Sequence, residues 1–206
     1  KEIIGGSGKI VATDMQLSAP ALTVADVKVQ VPQVYAEDYI PAISQICKKQ
    51  LIDMLIPLND LELPILAERK SDFEAIGVKV IVSEPRVIDI CFDKYKTAQF
   101  IESLGLKTPE TYVDYNEAIA AIKAGRLKFP LILKPRWGSG SIGLEFVDDF
   151  DELEIVYKLN RKKVMKSILA TASVDDNFIL IQEVIKGPEY GLDIVNDLDG
   201  KYRGVS

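Results

Sequence analysis

The chain has 206 residues, 48% hydrophobic and 27% charged, with 25 basic against 31 acidic side chains and a net charge of −6. That length can bury the core of one large domain or two small ones, and the acidic balance argues against a broad nucleic-acid footprint. There is no histidine, which removes Ser-His-Asp and Cys-His nucleophilic mechanisms and histidine metal sites.

The first predicted element is a buried strand, KIVATD (9–14), followed by a helix over DYIPAISQICKKQ (38–50) and a strand over IDMLIP (52–57). LELPILAERKSDFEAIG (61–77) has helical spacing and VKVIVS (78–83) reads as a strand. Strands alternating with helices at this spacing predict a doubly wound parallel α/β layer over residues 1–90. The opening KEIIGGSGKIVATD reaches strand register almost at once, so a strand and a helix are expected to precede it in a longer protein.

From residue 93 the rhythm changes. DKYKTAQFIESLGL (93–106) predicts an amphipathic helix closed by Gly105, KTPETYV (107–113) a short strand, and NEAIAAIKAG (116–125) a helix with Gly125 as its cap. FPLILKP (129–135) and GLEFVDD (143–149) are strands on either side of a glycine loop, and FDELEIVYKLN (150–160) is a helix. KKVMKSILATASVDDN (162–177) reads as helix running into loop, FILIQEVI (178–185) as an apolar strand, and EYGLDIVNDLDGKYRGVS as a hairpin turning at Asp199-Gly200. The apolar runs are too short to span a bilayer, no signal-peptide pattern is read at the start, and Cys47 and Cys91 form neither a disulfide framework nor a zinc pattern. The expected compartment is cytoplasmic.

The glycine loop, KPRWGSGSIGLEF (134–146), has the letters of a dinucleotide fingerprint at Gly138, Gly140 and Gly143. A dinucleotide turn needs a helix starting at its third glycine, whereas Leu-Glu-Phe-Val after Gly143 alternates as a strand does. No Gly-Lys-Ser/Thr closes the loop, so it is not a Walker A motif either. GGSG at 5–8 precedes a strand instead of following one, which argues against a dinucleotide site in the first layer. A glycine loop between antiparallel strands reads as a flap whose backbone N–H groups approach phosphate oxygens, with Lys134 at the end of the incoming strand aimed at the same phosphates. A flexible hairpin with a surface lysine is the alternative reading of the loop taken alone.

Downstream, IQEVIKGPEYGLDI places Glu183 at the end of an apolar strand and Glu189 just past a Gly-Pro turn. The first could meet an adenine amino group and the second two ribose hydroxyls; two solvated acids are the alternative. Asn59, Asp60 and Glu62 follow a strand where α/β sheets bind ligands, and they also fit a helix N-cap and first turn.

In its order of Lys94, Lys134, flap, Glu183 and Glu189, the second half from DKYKT onward resembles the ATP-grasp superfamily. It is most similar to short proteins related to the large subunit of carbamoyl phosphate synthetase, on FPLILKPRWGSGSIG and IQEVIKGPEYGLDI, with ATDMQLSAPAL and IDMLIPLNDLELPIL fitting the N-terminal half of that subgroup. The resemblance implies an α/β chain in which a pre-ATP-grasp domain (1–90) is followed by a partial ATP-grasp α+β module (91–206). That module would have a flap subdomain near 108–184 and the start of a C-terminal subdomain at 185–206.

The implied activity is ATP-dependent carboxylate–amine ligation through an acyl phosphate, with a non-catalytic ATP-binding module or a carbamate or carboxylate kinase as alternatives. Lys94 and Lys134 would neutralise ATP phosphates. Ser139, Gly140 and Ser141 would lie over the β- and γ-phosphates, with Arg136 and Trp137 at the base of the flap, and the segment from Arg136 to Ile142 is expected to be mobile without ligand. Gln182, Glu183, Val184 and Ile185 would line the adenine edge, partly through backbone atoms, and Glu189 would take the ribose.

No catalytic residue is implied. Mg²⁺ is an implied cofactor whose acidic and asparagine ligands are expected beyond residue 206, Asp193 and Asp197 being read as structural or solvated. The chain as written is therefore expected to bind adenine nucleotide weakly without ligating. The implied partners are a small carboxylate or bicarbonate and an amine or ammonia, with a homodimer as an option and neither nucleic acid nor membrane.

Overall fold

The computed structural model describes residues 6, 8–138, 140–167, 169–170 and 176–206. Ser139 of the glycine loop, Gly5 and Ser7 of the opening GGSG and part of the run after residue 167 lie outside the described residues. The chain divides into two compact units, Lys1–Val82 and Ser83–Ser206.

In the first unit the order is β1 (Val11–Asp14), α1 (Pro20–Val24), β2 (Val27–Gln30), α2 (Tyr39–Gln50), β3 (Met54–Leu55), α3 (Glu62–Glu68), α4 (Lys70–Glu74) and β4 (Lys79–Val80). The strands form two parallel pairs, β1 with β2 from Val11↔Val27 to Asp14↔Gln30, and β3 with β4 at Met54↔Lys79 and Leu55↔Val80. Helix α2 buries Tyr39, Ile43 and Cys47, four residues apart and therefore on one face, against Leu66, Phe73, Val78 and Val80. Residues 61–77 hold two helices instead of one, broken at Arg69, whose ψ of 9° leaves the helical region. Neither α1 nor β2 is predicted from the sequence: α1 has five residues, too few to show a helical period.

The second unit runs α5 (Pro85–Phe92), α6 (Lys94–Ser103), β5 (Thr111–Tyr112), α7 (Tyr115–Lys123), β6 (Leu131–Pro135), β7 (Glu145–Val147), α8 (Phe150–Met165), β8 (Ile179–Glu183), β9 (Ile194–Asn196) and β10 (Tyr202–Val205). Three helices start on aspartate, because a short carboxylate accepts the N–H groups a first turn leaves unpaired. Asp93 accepts from Tyr95 and Lys96, Asp114 from Glu117 and Asp149 from Glu152. Gly105 and Gly125 follow the ends of α6 and α7, their N–H groups bonded back to Glu102 and Ile122.

The sheet has the order β5-β8-β6-β7, and all neighbours are antiparallel. Residues directly opposite in such a ladder share a face. Leu131, Leu133 and Pro135 therefore stand with Ile179, Ile181, Glu183 and Val147, while Ile132 and Lys134 stand with Leu180, Gln182 and Phe146. The first face lies under α8, since Pro135 and Asn160 of that helix flank the same residue, Gly143. Leu131, Leu133, Val147, Ile179 and Ile181 of that face, with Leu153 and Val164 of α8, are fully buried. β9 and β10 form a separate antiparallel pair, whose turn is organised by Asp197 accepting from the Asp199 and Lys201 N–H groups and from Arg203.

Candidate functional site

The glycine loop leaves β6 at Pro135 and enters β7 at Glu145, so a strand and not a helix follows Gly143. Gly140 and Ser141 are exposed. Ser141 has φ +59°, a left-handed conformation that costs a non-glycine residue on the order of 1–3 kcal/mol and that clusters at functional loops. The Leu144 N–H closes the turn onto the Ser141 carbonyl at 3.2 Å.

At its entry the loop is held firmly. Arg136 donates to Asp93 from Nε (3.3 Å) and from a terminal nitrogen (2.5 Å), and also to the Asn177 carbonyl at 3.1 Å. Both partners are buried, Asp93 at 3% and Arg136 at 7% exposure. The guanidinium also faces the rings of Trp137 and Tyr95, 4.9 and 5.7 Å from their centroids. Backbone bonds from Arg136 N–H to the Phe178 carbonyl (3.0 Å) and from Lys94 N–H to the Arg136 carbonyl (3.1 Å) complete the anchor. Arg136 and Trp137 thus differ from the mobile segment expected of them: both are buried, and the loop proper begins at Gly138.

Lys94 and the loop are brought together. As first residue of α6, Lys94 donates from Nζ to the Gly138 carbonyl at 2.8 Å and reaches the Arg136 carbonyl at 3.4 Å. Lys134 lies on β6 two residues before the anchor, half-buried on the face that also carries Gln182. Burial pushes its ammonium below the ordinary lysine range, and it has no ion pair among the described residues.

The remaining predicted residues are arranged differently. The Gln182 side chain is buried and donates to Thr111 Oγ1 at 2.6 Å, which in turn donates to the Pro109 carbonyl. Its polar atoms therefore serve the β5–β8 junction. Glu183 stands opposite Leu131, on the other face from Lys134, and its Oε2 accepts from the Glu110 N–H at 3.2 Å. Val184 is half-buried, and Ile185 and Glu189 are exposed beyond the end of β8. No hydrogen bond joins Glu189 to the loop among the described residues.

Of the polar residues after β3 in the first unit, Asn59 accepts from the Leu61 N–H at 3.0 Å and Glu62 accepts from the Tyr39 hydroxyl at 2.7 Å. Both are spent where helix α3 begins. Desolvation, with Glu62 adding to it, raises the Tyr39 hydroxyl far above its ordinary value.

Asp93, which accepts from Arg136, and Asn160, which donates from Nδ2 to the Gly143 carbonyl at 2.8 Å, hold the two ends of the loop and are the residues that sequence reasoning missed. Asp93 was legible as a cap, being an aspartate just before an amphipathic run. Its buried pairing with Arg136, 43 residues away, has no local signature. Mg²⁺ does not fit the donors present: among the described residues no group of three or more Asp, Glu, Cys or His could hold a metal ion.

Comparison with known proteins bears on this arrangement. Residues 1–81 match the PylC-like N-terminal domain, and residues 127–203 match the ATP-grasp domain. The first part of the chain is thus similar to a PylC-like N-terminal domain and the second to part of an ATP-grasp domain, neither match reaching half of its length.

Among curated relatives, D-alanine–D-alanine ligase B of Pseudomonas syringae is 36% identical over 101 residues, covering 49% of this chain and 28% of the ligase. The carbamoyl phosphate synthase large chain of Campylobacter jejuni is 32% identical over 81 residues, 39% of this chain and 7% of that protein. This chain thus spans a minor part of the length of either relative.

Among solved structures, the biotin carboxylase of Campylobacter jejuni superposes with a TM-score of 0.63 at 21% identity, over 90% of this chain and 41% of that one. N5-carboxyaminoimidazole synthetase of Staphylococcus aureus, solved with ADP, gives 0.56 at 17% identity over 86% and 41%. These two likenesses speak to fold alone. The ATP-grasp match contains Lys134, the glycine loop, Glu183 and Glu189, whereas Asp93 and Lys94 lie outside both matched ranges.

Proposed function

We propose that the glycine loop, with Lys94 and Lys134, holds the phosphates of ATP, and that the protein serves ATP-dependent carboxylate–amine ligation. The observation that carries this reading is the Lys94 ammonium seated on the Gly138 carbonyl at 2.8 Å. It puts a cation at the foot of a loop built for close backbone approach, while Lys134 brings a second, partly desolvated cation on the incoming strand. An anion above the loop offsets both charges.

The adenine edge is assigned to residues 182–185. Because the Gln182 side chain is spent on Thr111, the backbone of Val184 and Ile185, where β8 ends, is the part left for the base. Glu183 keeps Oε1 for an exocyclic amino group, and Glu189 is assigned to the ribose. In the reaction, a carboxylate or bicarbonate oxygen attacks the γ-phosphorus and ADP leaves. The amine or ammonia nitrogen then attacks the acyl carbon and inorganic phosphate departs. A chain without histidine suits a step that rests on charge neutralisation and positioning. We place it in the cytoplasm, where its free cysteines need no oxidising environment.

Calorimetry with ADP and GDP tests the binding part: ADP binds and GDP binds more weakly, and equal affinities remove the adenine-edge assignment. Phosphate release by the full-length protein across a panel of carboxylates and amines tests the chemistry. Nucleotide binding with no release on any pair of substrates would favour a non-catalytic module.

A further inference from the structure

We propose that Asn160 is a positioning residue for the glycine loop, fixing the loop exit in the geometry that meets a phosphate; this rests on reading the loop as a phosphate cradle. Asn160 sits in the middle of α8 with 0% exposure and donates from Nδ2 to the Gly143 carbonyl at 2.8 Å. Its Oδ1 is buried with no hydrogen-bond partner among the described residues. An amide half satisfied in a core carries a desolvation cost that leucine, of nearly the same size, would avoid. What the amide gives in return is one hydrogen bond from Nδ2, and that bond is made to the loop.

A relay follows from peptide geometry. The Gly143 C=O and the Leu144 N–H belong to one planar trans unit and point in opposite directions. Holding the carbonyl down onto α8 therefore turns the Leu144 N–H up toward the loop, where it bonds to the Ser141 carbonyl at 3.2 Å. That bond closes the turn in which Ser141 takes its left-handed φ of +59°. Gly143 fits this seat: at φ +70°, a Cβ would come within 3.3 Å of Pro135 Cγ and 3.6 Å of Asn160 Oδ1. Asn160 thus acts on Ser141 through Gly143 and Leu144 and touches no ligand itself.

The test compares ADP and AMP affinity by calorimetry in the 206-residue chain, wild type against Asn160→Leu and Asn160→Asp. Asn160→Leu keeps the volume and removes the donor, so ADP weakens about tenfold while AMP, which lacks the outer phosphates, changes by less than about twofold. Asn160→Asp has no proton to donate when ionised. A buried carboxyl holds its proton to higher pH than an exposed one, so the affinity of this variant relative to wild type recovers as pH falls through the range where it protonates.

Wild-type ADP affinity in Asn160→Leu, or ADP and AMP falling in parallel, overturns the positioning role and leaves the cradle reading standing. If Asn160→Leu does not fold, a flat pH profile of Asn160→Asp relative to wild type overturns it equally. A wild-type chain that binds neither nucleotide overturns the cradle reading and this proposal together.

Discussion

Arg136 and Asp93 meet through two hydrogen bonds, of 3.3 and 2.5 Å, at the foot of the glycine loop. Asp93 simultaneously caps α6 by accepting from the Tyr95 and Lys96 N–H groups. One carboxylate therefore fixes both the start of the helix that carries Lys94 and the strand end that carries the loop. The pair lies almost wholly out of solvent, where its value comes from completeness: removing one partner leaves a buried charge, whereas removing both charges does not.

Arg136→Met accordingly destabilises the chain by roughly 3–5 kcal/mol, read from urea unfolding. Adding Asp93→Asn removes the stranded charge and keeps the oxygen that caps α6, so the double variant is more stable than Arg136→Met alone. A double variant that is less stable would mean that Asp93 is not the main partner of Arg136.

Lys134→Met moves stability and affinity in opposite directions. The native ammonium is partly desolvated and has its pKa lowered by burial. Below that folded-state value the folded protein bears the cost of a buried charge. Between it and the ordinary lysine value the unfolded chain binds more protons, so stability rises with pH. Lys134→Met removes both the cost and this alkaline rise, and it melts higher at neutral pH. ADP affinity falls by roughly 1.5–3 kcal/mol, the range for hydrogen bonds to charged groups. Thermal melts between neutral and alkaline pH, with ADP titrations, check both arms; unchanged ADP affinity would remove Lys134 from the phosphate site.

Gly138→Ala is costlier than Gly140→Ala. Both glycines have positive φ, +87° and +69°, which costs an L-residue roughly 1–2 kcal/mol. A Cβ on Gly140 meets nothing within 4 Å, whereas on Gly138 it would lie 2.5 Å from Leu169 Cδ2, which must then move. Thermal melts of the two variants side by side give the ranking, and a reversed order would count against this packing.

Hydrogen exchange divides the loop in two. The Arg136 N–H is bonded to Phe178 and is protected with or without ADP. Gly140 to Ile142 are exposed and gain protection when ADP binds. Equal exchange there in both states would point to a static hairpin.

Much of this was readable from periodicity and punctuation. The i, i+4 apolar spacing in α2 and the apolar runs of β6 and β8 define those elements locally, and the alternation after Gly143 decides between flap and dinucleotide turn. Helix α5 went unread because its eight residues run directly into the Asp93 cap of the next helix. The Asn160 clasp left a trace, a polar residue on the same helical face as Leu153 and Val164, which is a reason to ask what a core amide is for. The face taken by the Glu183 carboxylate follows from β-ladder register, and the Asp93–Arg136 pair from tertiary closure across 43 residues. Neither is encoded in a window of neighbouring residues.

The sequence contains a single tryptophan, and it is Trp137, 5% exposed with a guanidinium 4.9 Å from its ring. Light absorbed at the red edge, where tyrosine is transparent, is therefore emitted from one place: the hinge between the clamped strand and the loop. An indole in this setting emits toward the blue and is sensitive to the cation above it, so any slackening of the clamp shifts its colour. The protein carries its own optical gauge of the site, with no label to attach.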